Sequence, residues 1–271
     1  MDAKLSVWTA YYVELSPEDA VLELKKHGIM AAELSDEHGL MLLERGEPAE
    51  VGAAYRAFLE KENFTMTQGH LWLRVRLCTD PDAVGKLVKW LELYEAIGIE
   101  NAVLHCDSMF ERKDLSEAEI YAKNVEVLRQ ICDLTPDLKI RICLENLGGI
   151  CPDADSLVAV VDQLNPDRFG ICLDTGHLNL KGGNQREFIL KSGHRLHALH
   201  IADNEGERDQ HMMPFGRGNV NFTEVVAALR EVDYHGLFNL EIPGERMAPL
   251  PVLGYKLEYI QKVYDFMFAN A

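Results

Sequence analysis

Two short runs decide the fold: Lys139-Ile140-Arg141-Ile142-Cys143-Leu144-Glu145 and Phe169-Gly170-Ile171-Cys172-Leu173-Asp174-Thr175-Gly176-His177. Successive side chains of a strand point to opposite faces. In the first run Ile140, Ile142 and Leu144 make one apolar face, while Arg141, Cys143 and Glu145 make the other. In the second, Phe169, Ile171 and Leu173 oppose Gly170, Cys172 and Asp174. In a parallel barrel the apolar face packs on helices, the small or polar face lines the interior, and a terminal acid reaches the mouth where all the strand ends meet.

The pattern continues outward along the chain. Strand-like runs fall at residues 5–10, 30–34, 64–70, 101–106, 139–145, 169–174, 196–201 and 237–242. Helical stretches separate them, with start and stop signals. Ser16-Pro17-Glu18-Asp19 supplies an N-cap, a proline at the first helical position and an acid at the third; the helix is expected to stop at His27-Gly28. Asp80-Pro81 starts another, with Val84, Leu87, Val88 and Leu91 at helical spacing and Gly98 beyond its end. Ser116-Glu117-Ala118-Glu119 reads as a capping box. Strict alternation implies a parallel sheet, and eight units imply closure. The expected fold is α/β, a single-domain (β/α)8 TIM barrel over residues 1–271, close to the roughly 250 residues typical of that barrel. A doubly wound sheet would normally carry a glycine-rich loop after its first strand; here that turn is Ala10-Tyr11-Tyr12-Val13-Glu14.

Composition narrows the function. Hydrophobic residues make up 47% of the chain, enough for a large core. No run of about 18 apolar residues predicts a membrane span. Met1-Asp2-Ala3-Lys4 lacks the basic start and apolar segment of a signal peptide, and the six cysteines are scattered without a CxxC pair. Reduced thiols and a cytoplasmic location are expected. The 44 acidic residues outnumber the 27 basic ones, giving a net charge of −17, which repels polyanions and disfavours nucleic acid as a partner.

Nine residues carry the chemistry: His70, His105, Glu145, Asp174, His177, His200, Asp209, His211 and Glu241. Glu145, Asp174, His200 and Glu241 end the fifth to eighth strand-like runs. Three carboxylates and an imidazole suit a divalent ion such as Mn2+, Zn2+, Co2+ or Mg2+, and three carboxylates gathered without a cation would raise one another's proton affinity. Asp174 and His177 lie three apart at a tight turn, so both can address one centre or two adjacent ones. Asp209 and His211, two apart in a loop, point the same way if extended and could hold a second ion or substrate. His70 and His105 end the third and fourth runs, as pocket residues or further ligands. Glu33 ends the second and could bind substrate or be structural. Trp8 and Trp72 lie near the expected mouth, and Arg217 is a candidate for an anionic substrate group. His27 falls at a helix C-terminus, and His197, opposite in parity to His200, is expected to face the helices. Leu147-Gly148-Gly149 and Lys181-Gly182-Gly183 are loops without phosphate-loop spacing.

The motifs Cys143-Leu144-Glu145-Asn146, Leu173-Asp174-Thr175-Gly176-His177 and His200-Ile201-Ala202-Asp203-Asn204, followed by Asp209-Gln210-His211, resemble the xylose isomerase-like TIM barrels across essentially the whole chain. That group includes sugar and sugar-phosphate isomerases and epimerases, hydroxypyruvate isomerase, inosose dehydratase and endonuclease IV. Likeness to the epimerases implies one divalent ion on Glu145, Asp174, His200 and Glu241. It also implies proton exchange by the two glutamates and a substrate contact from His177. Likeness to endonuclease IV implies three zinc ions on all nine positions. The stretch ending Pro214-Phe215-Gly216-Arg217-Gly218 is more similar to the sugar branch, which often has Pro-Gly-x-Gly there; Phe215 departs from it. The resemblance thus implies carbohydrate metabolism. The activity would be a metal-dependent isomerase or epimerase acting on a sugar or sugar phosphate through a metal-stabilised enediolate. A related dehydratase or lyase, or a multi-zinc phosphodiesterase, are the alternatives. A homo-oligomer is implied by the same analogy.

Overall fold

Eight strands alternate with helices in the computed structural model, which describes residues 3–107, 114–147, 150–244 and 247–271. The strands are β1 (Lys4–Trp8), β2 (Ala31–Leu34), β3 (Thr65–His70), β4 (Asn101–Leu104), β5 (Arg141–Glu145), β6 (Phe169–Asp174), β7 (Leu196–His200) and β8 (Leu237–Leu240). The helices are α1 (Pro17–Lys26), α2 (Asp36–Leu43), α3 (Pro48–Glu62), α4 (Ala83–Ile97), α5 (Glu117–Leu134), α6 (Ala154–Val161), α7 (Thr175–Leu180), α8 (Gln185–Ser192), α9 (Phe222–Glu231) and α10 (Leu250–Ala269). All pairings are parallel, in the order β7-β6-β5-β4-β3-β2-β1-β8. The ring closes just past β7, where Ile201 N donates to Asn239 O at 2.7 Å and accepts Glu241 N at its own carbonyl at 3.2 Å. The result is the expected single-domain (β/α)8 barrel. Among the described residues no helix is long and apolar enough to cross a membrane, and the cysteines form no disulfide.

Strand parity holds in three dimensions. Ile142, Leu144, Ile171, Leu173 and Leu199 join the large core between sheet and helices. Val103, Cys143, Cys172 and Ala198 form a separate small cluster, one contribution from each of four consecutive strands. That layer fills the barrel with small side chains, and the next residues up each strand are the polar ones at the mouth. The start signals also hold. Ser16 Oγ accepts Asp19 N at 3.1 Å, with Pro17 opening α1. Ser116 and Glu119 make both halves of a capping box at α5.

Some expectations need correction. The first strand ends at Trp8 instead of residue 10, because Thr9–Tyr12 winds into a 3-10 turn. α4 begins at Ala83, two residues past Pro81, because Asp80 to Ala83 closes a turn first. His197 does not face the helices. β7 carries an irregularity in which Ile171 pairs with Leu196 but Cys172 pairs with Ala198, so His197 is an extra residue. A bulge re-aims such a side chain. His197 therefore comes against Gly170 at the lower end of the barrel. A Cβ on Gly170 would lie 2.7 Å from His197 Cδ2 and 2.8 Å from Arg141 Cδ. Gly148 and Gly149, read from sequence as loop, and Met1 and Asp2 lie outside the described residues.

Candidate metal centre

All nine sequence-selected residues meet at the C-terminal mouth. His70, Glu145, Asp174 and His200 are the last residues of β3, β5, β6 and β7; His105 and Glu241 come just after β4 and β8. Their side-chain donors converge. His200 Nδ1 lies 3.1 Å from Glu145 Oε2 and 3.3 Å from Glu241 Oε2. His105 Nε2 lies 2.9 Å from Glu145 Oε2 and 3.3 Å from His70 Nε2. His177 Nδ1 lies 2.8 Å from Glu145 Oε1, while its Nε2 is 3.3 Å from Asp209 Oδ2. His211 Nε2 is 3.2 Å from Asp209 Oδ1.

Local structure explains how these groups are held. Asp174 caps α7, accepting His177 N on Oδ1 at 2.6 Å, so one short turn folds the imidazole back over the acid. Asn146 braces the Asp174 backbone in both directions, accepting its N–H at 2.7 Å and donating to its carbonyl at 3.0 Å. Thr175 Oγ1 bridges to Ala202. Asp203 and Met212 pair antiparallel, which folds the loop after β7 so that Asp209 and His211 hang over the mouth. His211 sits at φ +42° and donates Nδ1–H to Glu241 O at 2.8 Å, leaving Nε2 turned to Asp209. Neither Asn146 nor Thr175 was singled out from the sequence as a functional residue. Both lie beside chosen ligands, but their role depends on a bond to a different strand end.

The electrostatics are those of a cation site. Burial alone would push His70, His177 and His211 down, yet the surrounding carboxylates raise them to about 9, about 11 and about 10. For His70 the raising groups are Glu145 and Glu241. For His177 they are Asp174, Asp209 and Glu145, and for His211 they are Asp209, Glu241 and Asp174. His200 is raised as well, against burial, by Cys172, Glu241, Glu33 and Glu145. His105 moves down because burial outweighs Glu145. The two glutamates separate: burial is overcome at Glu145 by His105 and His200, holding it well below the usual range, whereas burial lifts Glu241 to about 7 despite His200 and His211. Imidazolium protons thus do the charge balancing that an ion would otherwise do.

The residues fit a divalent ion on a second test. Glu145 Oε1, Asp174 Oδ2, His177 Nδ1 and His200 Nδ1 are buried without a hydrogen-bond partner, although oppositely charged atoms sit close by. These atoms converge without aligning for hydrogen bonds with one another. Ligand atoms about 2.1 Å from one ion, at octahedral or tetrahedral angles, lie about 3.0 to 3.4 Å apart, and the contacts above span 2.8 to 3.3 Å. Five overlapping groupings among the described residues close tightly enough for an ion, among them Glu145, Asp174, His200 and Glu241; His70, His105 and Glu145; and Asp174, His177 and His211.

Three other sequence candidates are placed differently. Trp8 pairs in register with Glu33, and its Nε1 is buried without a hydrogen-bond partner. Glu33 does not reach the pocket surface: it is fully buried, with one oxygen on His200 Nε2 at 3.0 Å and the other on Asn239 Nδ2. Arg217 is not drawn into the cluster; it is 74% exposed and pairs with Glu205 at 3.4 Å. A long flexible side chain on an acidic loop finds its partner there instead.

Over 133 residues the chain is 35% identical to an uncharacterized protein of Methanocaldococcus jannaschii, covering 46% of this chain and 44% of that one. It is 28% identical to an L-ribulose 3-epimerase of a Methylomonas species, covering 60% and 58%. It is 27% identical to a probable endonuclease 4 of Metamycoplasma arthritidis, covering 48% and 50%. The chain thus spans about half the length of the curated relatives it matches. Among solved structures, a D-psicose 3-epimerase from Clostridium cellulolyticum H10 superposes with a TM-score of 0.81 at 18% identity, over 98% of this chain and 99% of that one; at that identity the likeness is one of fold. The family described as the xylose isomerase-like TIM barrel matches residues 21–263, nearly the whole barrel and every one of the nine mouth residues, and the chain belongs to that family.

Proposed function

We propose that this chain is a metal-dependent sugar isomerase or epimerase, moving a proton at a carbon beside a carbonyl; a related sugar dehydratase or lyase would use the same residues. The observation that carries this reading is the pair Glu145 and Glu241. They arise from β5 and the end of β8 and approach the same His200 nitrogen, at 3.1 and 3.3 Å. Two carboxylates on opposite sides of one centre can take a proton from a substrate carbon and return one. One of the two accepts the proton from the substrate carbon and the other returns one. His177, buried beside Glu145, donates to a substrate oxygen. The unpartnered Trp8 Nε1–H offers a second donor. A divalent ion held by Glu145, Asp174, His200 and Glu241 would supply Lewis acidity toward substrate oxygens. The names of relatives, an L-ribulose 3-epimerase and D-psicose 3-epimerases, support a sugar as substrate. Incubating the ion-loaded protein with ketoses and ketose phosphates in D2O tests the reading. Deuterium should enter at the carbon next to the carbonyl of at least one sugar. Absence of exchange across the panel, with each divalent ion in turn, would overturn the assignment.

One observation favours a second reading. Eight of the nine residues fall in overlapping groups that could hold an ion, with Asp209 against His177 and His211, and a probable endonuclease 4 is among the relatives. That arrangement supports phosphodiester hydrolysis by several ions. The charge of −17 weighs against a polyanionic substrate. Nicking of abasic duplex at low salt discriminates the two: the sugar reading predicts none.

A further inference from the structure

Glu33 is more than a buried acid. Its side chain is fully enclosed inside the barrel, and both oxygens are committed. Oε1 faces His200 Nε2 at 3.0 Å, and Oε2 accepts from Asn239 Nδ2. Asn239 is oriented in turn by Ser6, whose Oγ donates to Asn239 Oδ1 at 2.8 Å. Ser6, Glu33, Asn239 and His200 come from β1, β2, β8 and β7, so the chain of bonds crosses the barrel just under the mouth. A carboxylate only accepts, so His200 must carry its proton on Nε2. That leaves Nδ1, the atom facing Glu145 and Glu241, as the ligating nitrogen. The ring plane is fixed separately, by stacking on His70 with centroids 5.5 Å apart and planes 20° from parallel. Stacking alone does not distinguish the ring from its half-turn flip, which would present carbon Cδ2 to the centre; the Glu33 bond does.

We propose that Glu33, held by Asn239 and Ser6, is a positioning residue that fixes the tautomer and rotation of His200 so that Nδ1 is presented to a divalent ion. This rests on the metal reading above. It assigns Glu33 no contact with substrate. An outer carboxylate of this kind typically contributes 10- to 100-fold in metal affinity. Glu33→Gln keeps the shape and one acceptor while removing the charge; Glu33→Ala removes both.

The test is made on metal-stripped full-length wild-type, Glu33→Gln and Glu33→Ala proteins, titrated with Zn2+ or Mn2+ against a competing chelator. Long-range 15N–1H spectra of 15N-histidine-labelled, ion-loaded protein read the protonated nitrogen of His200. The expected result is Nε2–H in the wild type. Affinity should fall about 10- to 100-fold in Glu33→Ala, with a smaller fall in Glu33→Gln. If Glu33→Ala does not fold, the isosteric Glu33→Gln with the nitrogen shifts decides. Wild-type affinity and an unchanged His200 tautomer in the variants would overturn the proposal, including the case where only turnover is lost. A wild-type protein that takes up no divalent ion overturns the metal reading and this proposal together.

Discussion

Glu145 lies within 3.1 Å of three imidazoles, those of His105, His177 and His200, each delivered by a different strand end. Replacing it with glutamine removes both a shared ligand and the base. The expected loss of turnover is about 10²- to 10⁴-fold, measured on protein whose fold is checked by its thermal transition; Glu145→Gln with wild-type turnover would remove Glu145 from the mechanism. At the other end of the barrel, His197 is pushed down to about 4 by burial, with Arg141 and His194 adding to the effect. It is neutral in the folded protein and titrates near 6.5 when unfolded. Its contribution to stability is therefore complete above pH 6.5 and lost as pH falls toward 4. Chemical unfolding from pH 7 to pH 4 should be less pH-dependent for His197→Asn than for the wild type.

Among the elements, the capping box of α5 and the bulge of β7 carry separable expectations. Ser116→Ala should cost about 1 kcal/mol of stability, because Ser116 satisfies the exposed N–H of Glu119. Gly170→Ala should cost about 1–3 kcal/mol by crowding His197 and Arg141 at the bulge; urea unfolding checks both. These elements also mark what could be read in the chain. Strand parity located Glu145, Asp174 and His200 because an alternating pattern is local. The bulge was not legible, since one extra residue in Leu196–His200 leaves the apolar pattern intact while turning His197. The links from Ser6 through Asn239 to Glu33 and His200 were hidden for another reason: the partners are far apart in sequence and meet only when the barrel closes.

For the whole molecule, an acidic barrel gathers its charge balance at one mouth. In the metal-free protein His70, His177 and His211 hold protons up to about 9, 11 and 10, because nearby carboxylates overcome the effect of burial. The stability they contribute is complete below about pH 6.5 and lost as pH rises through those values, whereas an ion must displace such protons to bind. The gap in melting temperature between ion-loaded and chelator-stripped protein should therefore widen as pH rises from 6.5 toward 9. On the function proposed above, Glu145, Asp174, His200 and Glu241 form a single-ion centre for proton transfer on a sugar, with the outer residues left for substrate. Metal analysis of the gently purified protein tests it most directly. One tightly held divalent ion per chain, lost in His200→Ala, is the expected result; no bound ion, or three zinc ions per chain, is incompatible with it.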